Sequence, residues 1–334
     1  EIPLGAMRFN SDSQKLEYFN GETWFQIHAF SPDLDGGVRG IWAGGSNPGA
    51  DVIEYVTIPT QGNGTDFGNL AASVKYVSGG SSNTRGVTVG GEEGSTTDRI
   101  QYITISITGD ATDFGNLTEV ITYISACSNQ TRLVTGGGKN SGGSKINTMN
   151  YLTIASTGDA KDFGDLIGTV RNNIGAVANP TRGLFMGGYT PTSVNNMDYV
   201  TLATTGNAQD FGDLTRCIGY NSAQCGSTTR GIVWGGQSPS GNDSGNKIDY
   251  FTFATRGNTT SFADATVAMS YRNCTSDTVR GVAGGGQNGP GADIQNTIEY
   301  ITISTEGDAV DFGDLTVKNH HAAAAFSSGH GGLG

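Results

Sequence analysis

Charge is scarce in this chain, and positive charge is scarcest. Only 15% of its 334 residues are charged, with 19 Lys and Arg against 31 Asp and Glu. The net charge of −12 repels nucleic-acid backbones, so neither DNA nor RNA is an expected partner. No apolar run approaches the roughly 18 residues of a membrane-spanning helix, so none is expected. No signal-peptide pattern is present either. The chain starts at Glu1 rather than Met, so upstream residues that were removed or left out are to be allowed for. Four Cys are too few to frame a domain of this size with disulfides. Three of them, Cys127, Cys225 and Cys274, lie five or six residues before a recurring Arg. A small buried side chain on a crowded strand is the plain reading there, with a redox or metal role as the alternative. No stretch has the periodicity of an amphipathic helix.

What is abundant is Gly, 53 residues, about twice the usual share. Thr, Ser and Asn are also frequent, and Val, Ile, Tyr and Phe come in short runs. Such a composition suits many short strands joined by tight turns. By length alone the chain could form two domains, but an internal repeat overrides that expectation. An Arg recurs at Arg39, Arg85, Arg132, Arg182, Arg230 and Arg280, with the second Gly of a pair six residues after each. A Tyr follows at Tyr55, Tyr102, Tyr151, Tyr199, Tyr250 and Tyr300, and a Phe twelve residues after each Tyr. Copies of about 48 residues mean blades or solenoid units.

One copy reads as four strands. They are 39–45, 53–58, 65–70 and a fourth beginning at 74–78. The residue before each Tyr is polar (Glu54, Gln101, Asn150, Asp198, Asp249 and Glu299), with apolar residues on both faces around it. That suits a sheet covered on both sides by its neighbours. The run 321–328 falls where a sixth copy of the fourth strand belongs, and the first copy lacks an upstream one. The C-terminal strand can therefore complete the first blade and leave no open edge. A linear solenoid would need distinct polar caps instead. The expected fold is all-β: a six-bladed β-propeller of four-stranded blades over 31–334, plus a small N-terminal β-hairpin module over 1–30. Trp42 and Trp234, on the Arg-to-Gly strands, are expected in the core.

Gly pairs followed by Tyr and a large aromatic resemble the kelch repeat, which folds as one propeller blade. The resemblance covers 37–330. Phe stands where kelch blades usually carry Trp, and the Tyr-to-aromatic spacing is longer. The chain thus looks like a divergent relative, and kelch partner chemistry does not transfer. Residues 5–24 resemble a β-hairpin module common in tail and head fibres of tailed phages. Gly5, Arg8, Phe9, Asn10, Asp12, Glu17, Tyr18, Phe19, Asn20, Gly21 and Trp24 match it. Such modules attach or oligomerise a chain.

Length variation between copies falls in one hairpin loop per copy: 46–52, 92–99, 139–148, 189–196, 237–247 and 287–297. Variable loops on a rigid scaffold either bind something or drift. Their candidate ligand-binding residues are Asn47, Glu92, Glu93, Lys139, Asn140, Tyr189, Asn242, Asp243, Asn288 and Asp293, with Tyr189 suited to stacking on a sugar. Each copy also carries an acidic or amide triplet around its Phe, such as Asp110/Asp113/Asn116 and Asp159/Asp162/Asp165. These triplets read as a structural turn or, alternatively, as a calcium-binding one. The six Arg read as structural ion pairs to an Asp of their own or the next copy, five copies offering one before the Phe and the fifth carrying Ser261, or, alternatively, as a ring for an anionic ligand. An enzyme needs residues that break the repeat. The unrepeated candidates are Glu92, Glu93, Glu119, His28, His320 and His321, and they show no triad or metal-ligand spacing.

These features lead to the expectation of a non-enzymatic virion structural protein of a tailed phage. It would be a tail or capsid fibre or decoration component on the virion surface, with no cofactor, no bound metal and no membrane insertion. Its partners would be other virion proteins through the N-terminal module, a host-surface glycan, and a second copy of the chain. The alternative is a lectin-like, carbohydrate-binding propeller on a cell surface.

Overall fold

Short alternating segments broken by Gly, Asn and Ser give strands of two to ten residues almost throughout the chain. A computed structural model describes residues 2–10, 15–26, 37–45, 50–168, 170–219, 223–236, 245–288, 294–318 and 322–333. Among these, a single 3-10 turn at Ile58–Thr60 is the one helical element. No helix is long and apolar enough to cross a membrane. The chain divides into Glu1–Gly37 and Val38–Gly334. The boundary expected between residues 30 and 31 lies outside the described residues.

The first unit is a three-stranded antiparallel sheet of Met7–Asn10, Lys15–Phe19 and Trp24–Gln26 in that order. Its register sets Arg8 opposite Glu17 and Phe19 opposite Trp24. One carboxylate organises that face. Glu17 accepts from Arg8 Nε at 2.8 Å and from Asn10 Nδ2 at 2.9 Å, and these bonds hold its carboxyl below the usual range. The Arg8 guanidinium also lies 4.2 Å from the Trp24 ring centre. At the second turn, Asn20 Oδ1 accepts from the Glu22 and Thr23 amides while Gly21 takes φ 103°.

The second unit contains six four-stranded antiparallel sheets of one design. In each, a leading strand pairs with an Arg strand, then a Tyr strand, then a Phe strand. Sheet two is representative: Ser78–Ser81, Arg85–Val89, Arg99–Thr104 and Thr112–Asn116. The other leading strands are Ser125–Ser128, Gly175–Ala178, Ala223–Gly226, Asn273–Ser276 and, for sheet one, Ala324–Ser327. The C-terminal strand thus pairs with Arg39–Ala43, as its slot in the repeat implied. One detail differs from the sequence reading. The strand expected from residue 74 begins at Ser78, because Tyr76 adopts φ 57° and interrupts the extended run.

The core lies between sheets rather than within one. Six clusters of buried apolar side chains fill successive sheet pairs, among them Val87, Ile100, Leu133 and Ile154 between sheets two and three. The sixth joins Trp42, Val56 and Ile58 of sheet one to Val282, Ile298 and Phe312 of sheet six. Trp42 and Trp234 are fully buried, as expected. Burial of both faces explains why the Tyr strands lack a clean polar alternation.

Backbone bonds follow the same cycle. The Gly109 N–H donates to Phe67 O at 2.7 Å, Gly158 to Phe114 at 2.8 Å, Gly206 to Phe163 at 2.7 Å, Gly257 to Phe211 at 2.8 Å, and Gly62 to Phe312 at 3.1 Å. This closeness requires Gly on the Phe strand. Gly68 has φ 150°, and a Cβ there would sit 2.5 Å from the Gly109 carbonyl carbon. The Gly pairs serve a parallel purpose: Gly91, at φ 104°, donates its N–H at 2.8 Å to Ile121 O, in the segment entering sheet three.

Candidate functional site

The recurring side chains are committed to joining sheet to sheet. Each repeat Arg lays its guanidinium over the Tyr of its own sheet, 4.4 to 5.2 Å from the ring centre. Its Nη1 donates to a carbonyl just past the Tyr strand of the next sheet. The pairs are Arg39 to Ile105, Arg85 to Ile154, Arg132 to Leu202, Arg182 to Phe253, Arg230 to Ile303 and Arg280 to Ile58. The same Tyr meets its Phe edge to face at 5.9 to 6.0 Å. The expected Arg–Asp ion pairs do not form. The Asp before the Phe, Asp66 for example, lies on the exposed side of its strand, while the Arg reaches across the sheet boundary. An Arg flanked by a π face and a carbonyl satisfies its charge without a carboxylate.

The acidic and amide triplets are also spent across the boundary. The first member accepts the backbone N–H of the third member in the preceding sheet, at 2.9 to 3.1 Å. Asp110 takes Asn69 N, Asp159 takes Asn116, Asn207 takes Asp165, Asn258 takes Asp213, Asp308 takes Asp264, and Asn63 takes Asp314. Among the described residues, no three His, Cys, Asp or Glu side chains converge on a point that could hold a metal ion.

The buried polar residue before each Tyr has a partner as well, and its chemistry changes around the repeat. Glu54 accepts from Thr316 N and Gln101 from Ala71 N, while Asn150 accepts the Thr118 hydroxyl. In the last three copies a guanidinium takes over. Arg171 meets Asp198 at 2.5 Å, Arg216 meets Asp249 at 2.8 Å and Arg272 meets Glu299 at 2.5 Å, all largely buried. Burial drags the Arg171 guanidinium below its ordinary pKa and lifts the Asp198 carboxyl above its own.

The six leading strands all line one cavity, with about 400 Å³ of atom-free space, open to solvent, in the part nearest the C-terminus. Its wall is made of small residues: Gly79, Ala126, Ala176, Cys225 and Cys274 among them. The C-terminal turn forms one end. His330 Nε2 donates to Ser81 O at 2.9 Å, and Nδ1 accepts the Gly332 N–H at 3.1 Å, which fixes the neutral tautomer. Burial holds this imidazole down to about 4, although the residue as a whole is only half-buried. The Gly331 N–H reaches Gly226 O at 3.0 Å. Cys127, Cys225 and Cys274 are buried free thiols, and burial pushes Cys127 up to about 12. All three are small buried side chains on leading strands, as the plain reading of their positions expected.

The opposite end carries a position whose residue type changes between copies. Two residues before five of the leading strands the backbone is left-handed: Tyr76, Tyr123, Asn173, Tyr271 and Ala322 have φ of 57, 56, 55, 53 and 54°. Bulky side chains held in this region cost of order 1–3 kcal/mol each, a strain that clusters at functional sites. The Tyr76 and Tyr123 rings stack with centres 4.0 Å apart. The Tyr123 phenol is raised well above its ordinary pKa by burial, then by the Tyr76 hydroxyl, with Tyr271 and Glu92 adding to it. At the start of the leading strands the cavity has about 480 Å³ of atom-free space, open to solvent, beside Ser78, Ser125, Gln224 and Asn273.

Variable loops meet this end. Residues 92, 139, 189 and 287 each pair with the segment entering the leading strand of their own sheet. Glu92 is ion-paired to Lys75 at 3.3 Å, and Glu93 to Arg99 at 3.0 Å. Lys139 Nζ lies 4.7 Å from the Tyr123 ring centre, and Lys145 Nζ lies 4.4 Å from that of Tyr189. Asn140 is a turn former, accepting from the Gly142 and Ser144 amides. Asn288 is exposed at its loop. Asn47, Asn242, Asp243 and Asp293 lie outside the described residues, as do His28, His320 and His321. Glu119 is half-buried on its own turn. The sequence reading passed over Tyr76, Tyr123, Tyr271, Lys75 and Lys145. A signal existed, because each of the three tyrosines stands nine residues before a repeat Arg. No protein-family model matches the chain, and no curated protein is detectably similar to it.

Proposed function

We propose that residues 38–334 close into a six-bladed β-propeller, a divergent kelch-like one, and that the chain is a non-enzymatic structural component of a tailed-phage virion. Closure is supported by the sixth core cluster, which joins sheets six and one, and by the Gly62–Phe312 and Arg280–Ile58 bonds. The ring displays its loops at the virion surface, on a tail fibre, capsid fibre or decoration, for host attachment or particle structure. The N-terminal module joins the chain to other virion proteins or to copies of itself. Support for that assignment is the phage-fibre hairpin pattern, whose Arg8, Asn10, Glu17, Asn20 and Trp24 are tied to one another or to their own turn.

One observation carries the non-catalytic, display reading. In every copy the Arg, Tyr, Phe and first triplet residue bond to a neighbouring sheet or to each other, while the position ahead of the leading strand changes from Tyr to Asn or Ala between copies. A rigid ring of this kind lets loops change without touching the core. The lectin-like reading, a carbohydrate-binding propeller on a cell surface, is favoured by the half-exposed tyrosines at the cavity mouth where the variable loops meet. Both readings are tested by incubating the purified chain with intact candidate bacteria and assaying released sugars in the same tube. Saturable binding without release is expected. Sugar release would overturn the non-enzymatic reading, and absence of binding to every host surface would overturn attachment.

A further inference from the structure

The mouth carries an unusual charge arrangement for so acidic a chain. Lys139 and Lys145 face each other as a backbone bridge in one loop. Each ammonium lies over an aromatic ring, Tyr123 at 4.7 Å and Tyr189 at 4.4 Å. Lys145 also donates to Thr190 O at 2.5 Å. Among the described residues neither lysine is paired with a carboxylate, although acids outnumber bases 31 to 19 along the chain. Lys75, the third cation here, is already matched by Glu92 at 3.3 Å. Burial, and then the charge of Lys139, holds the Lys145 ammonium below its ordinary pKa. Two like charges are thus held beside half-buried rings at a position where a bound anion would relieve their repulsion.

We propose that this patch of Tyr76, Tyr123, Lys139, Lys145 and Tyr189 binds an acidic polysaccharide, with a uronate-type carboxylate between the two lysines and sugar C–H faces against the tyrosines. The inference rests on the host-surface reading above and names its partner class. Tyrosine supplies flat, rigid contact area with a polar rim, which suits a pyranose. A lysine retains two further N–H donors after one backbone bond, enough for a carboxylate and a ring hydroxyl. The Asn140 side chain is occupied by its own turn and takes no part. Nucleic acid is disfavoured as the anion by the net charge of −12.

The test measures binding of the full chain to polygalacturonate and alginate, with dextran as the neutral control and polyglutamate as a non-sugar polyanion. Uronate polymers are expected to bind, dextran and polyglutamate to bind at least about tenfold more weakly, and binding to weaken as salt rises. The Lys139→Met/Lys145→Met variant keeps both aliphatic stems. It is expected to lose about tenfold or more in uronate affinity, with an unchanged unfolding midpoint certifying the fold. A Tyr189→Ala variant is expected to weaken binding in the same direction. Equal binding of polyglutamate, or full affinity in the double variant, overturns the proposal. Competition with intact bacteria separates the two levels. If the chain binds cells and uronate polymers neither bind nor compete, the acidic-glycan inference falls and attachment stands. If uronates bind but no cell does, the inference stands and attachment falls.

Discussion

The proposed closure of the second unit can be tested where its C-terminal strand packs. Phe326, on the C-terminal strand, is 4% exposed and packs with Ile41, Ile53, Val77, Ile103 and Ile105. Its ring lies directly on Gly86, the second residue of the Arg strand in sheet two. A Cβ on Gly86 would sit 2.7 Å from Phe326 Cζ, with two further ring atoms also too close. Gly86→Ala therefore overpacks the junction of sheets one and two and is expected to cost about 1–3 kcal/mol. Phe326→Ala removes a buried aromatic and is expected to cost about 3–5 kcal/mol. In the double variant the new methyl enters the space the ring has left. Its cost should therefore fall at or slightly below that of Phe326→Ala alone, a coupling of about 1–3 kcal/mol relative to the sum. Equilibrium unfolding in urea, followed by tryptophan fluorescence, measures all four corners of the cycle. Additivity within about 0.5 kcal/mol would refute the packing of the C-terminal strand against sheet two.

Three further outcomes are expected. The folded chain holds His330 near 4 against an ordinary 6.5, so the unfolded chain takes up the proton first and stability falls as pH drops through that window. The loss should not exceed about 3.4 kcal/mol, and His330→Gln should flatten the pH profile of the unfolding midpoint; an identical profile in the variant would remove His330 from the account. Asp110→Ala deletes the acceptor for the Asn69 N–H and should cost about 1 kcal/mol in urea unfolding. Added calcium should leave the wild-type midpoint unchanged, whereas a rise would restore the cation-binding reading of the triplets. Arg171→Met strands the buried Asp198 and should cost about 3–5 kcal/mol, while Arg171→Met/Asp198→Asn should recover part of it; equal costs would argue against the pair.

Much of the fold was legible because the repeat is rigid where sheets touch. The fixed Arg-to-Gly and Tyr-to-Phe spacings correspond to strands whose registers recur in every sheet, as in the pairing of Val87 with Tyr102 and of Val134 with Tyr151. The completion of sheet one by Ala324–Ser327 followed from counting. The roles of the repeated polar residues were harder to read. Nothing local to Arg39 reveals that its partner is Ile105 O, 66 residues away, because a backbone carbonyl has no signature in sequence. The same holds for Asp110, whose side chain serves the preceding sheet at Asn69 rather than its own turn. At the mouth, the variable loops were visible through their lengths. Tyr76 and Tyr123 were not, because a Tyr in an apolar run reads as core until its left-handed φ is known.

The central claim is that this chain is a displayed virion component that touches a host surface. Antibodies against the purified chain, applied to phage particles from lysates that contain it, test this most directly by gold labelling and by adsorption to host cells. The account predicts gold on a tail or capsid appendage and slowed adsorption when the antibody covers the loop mouth. Particles that carry no label, with the chain recovered only free or on the cell envelope, would contradict it.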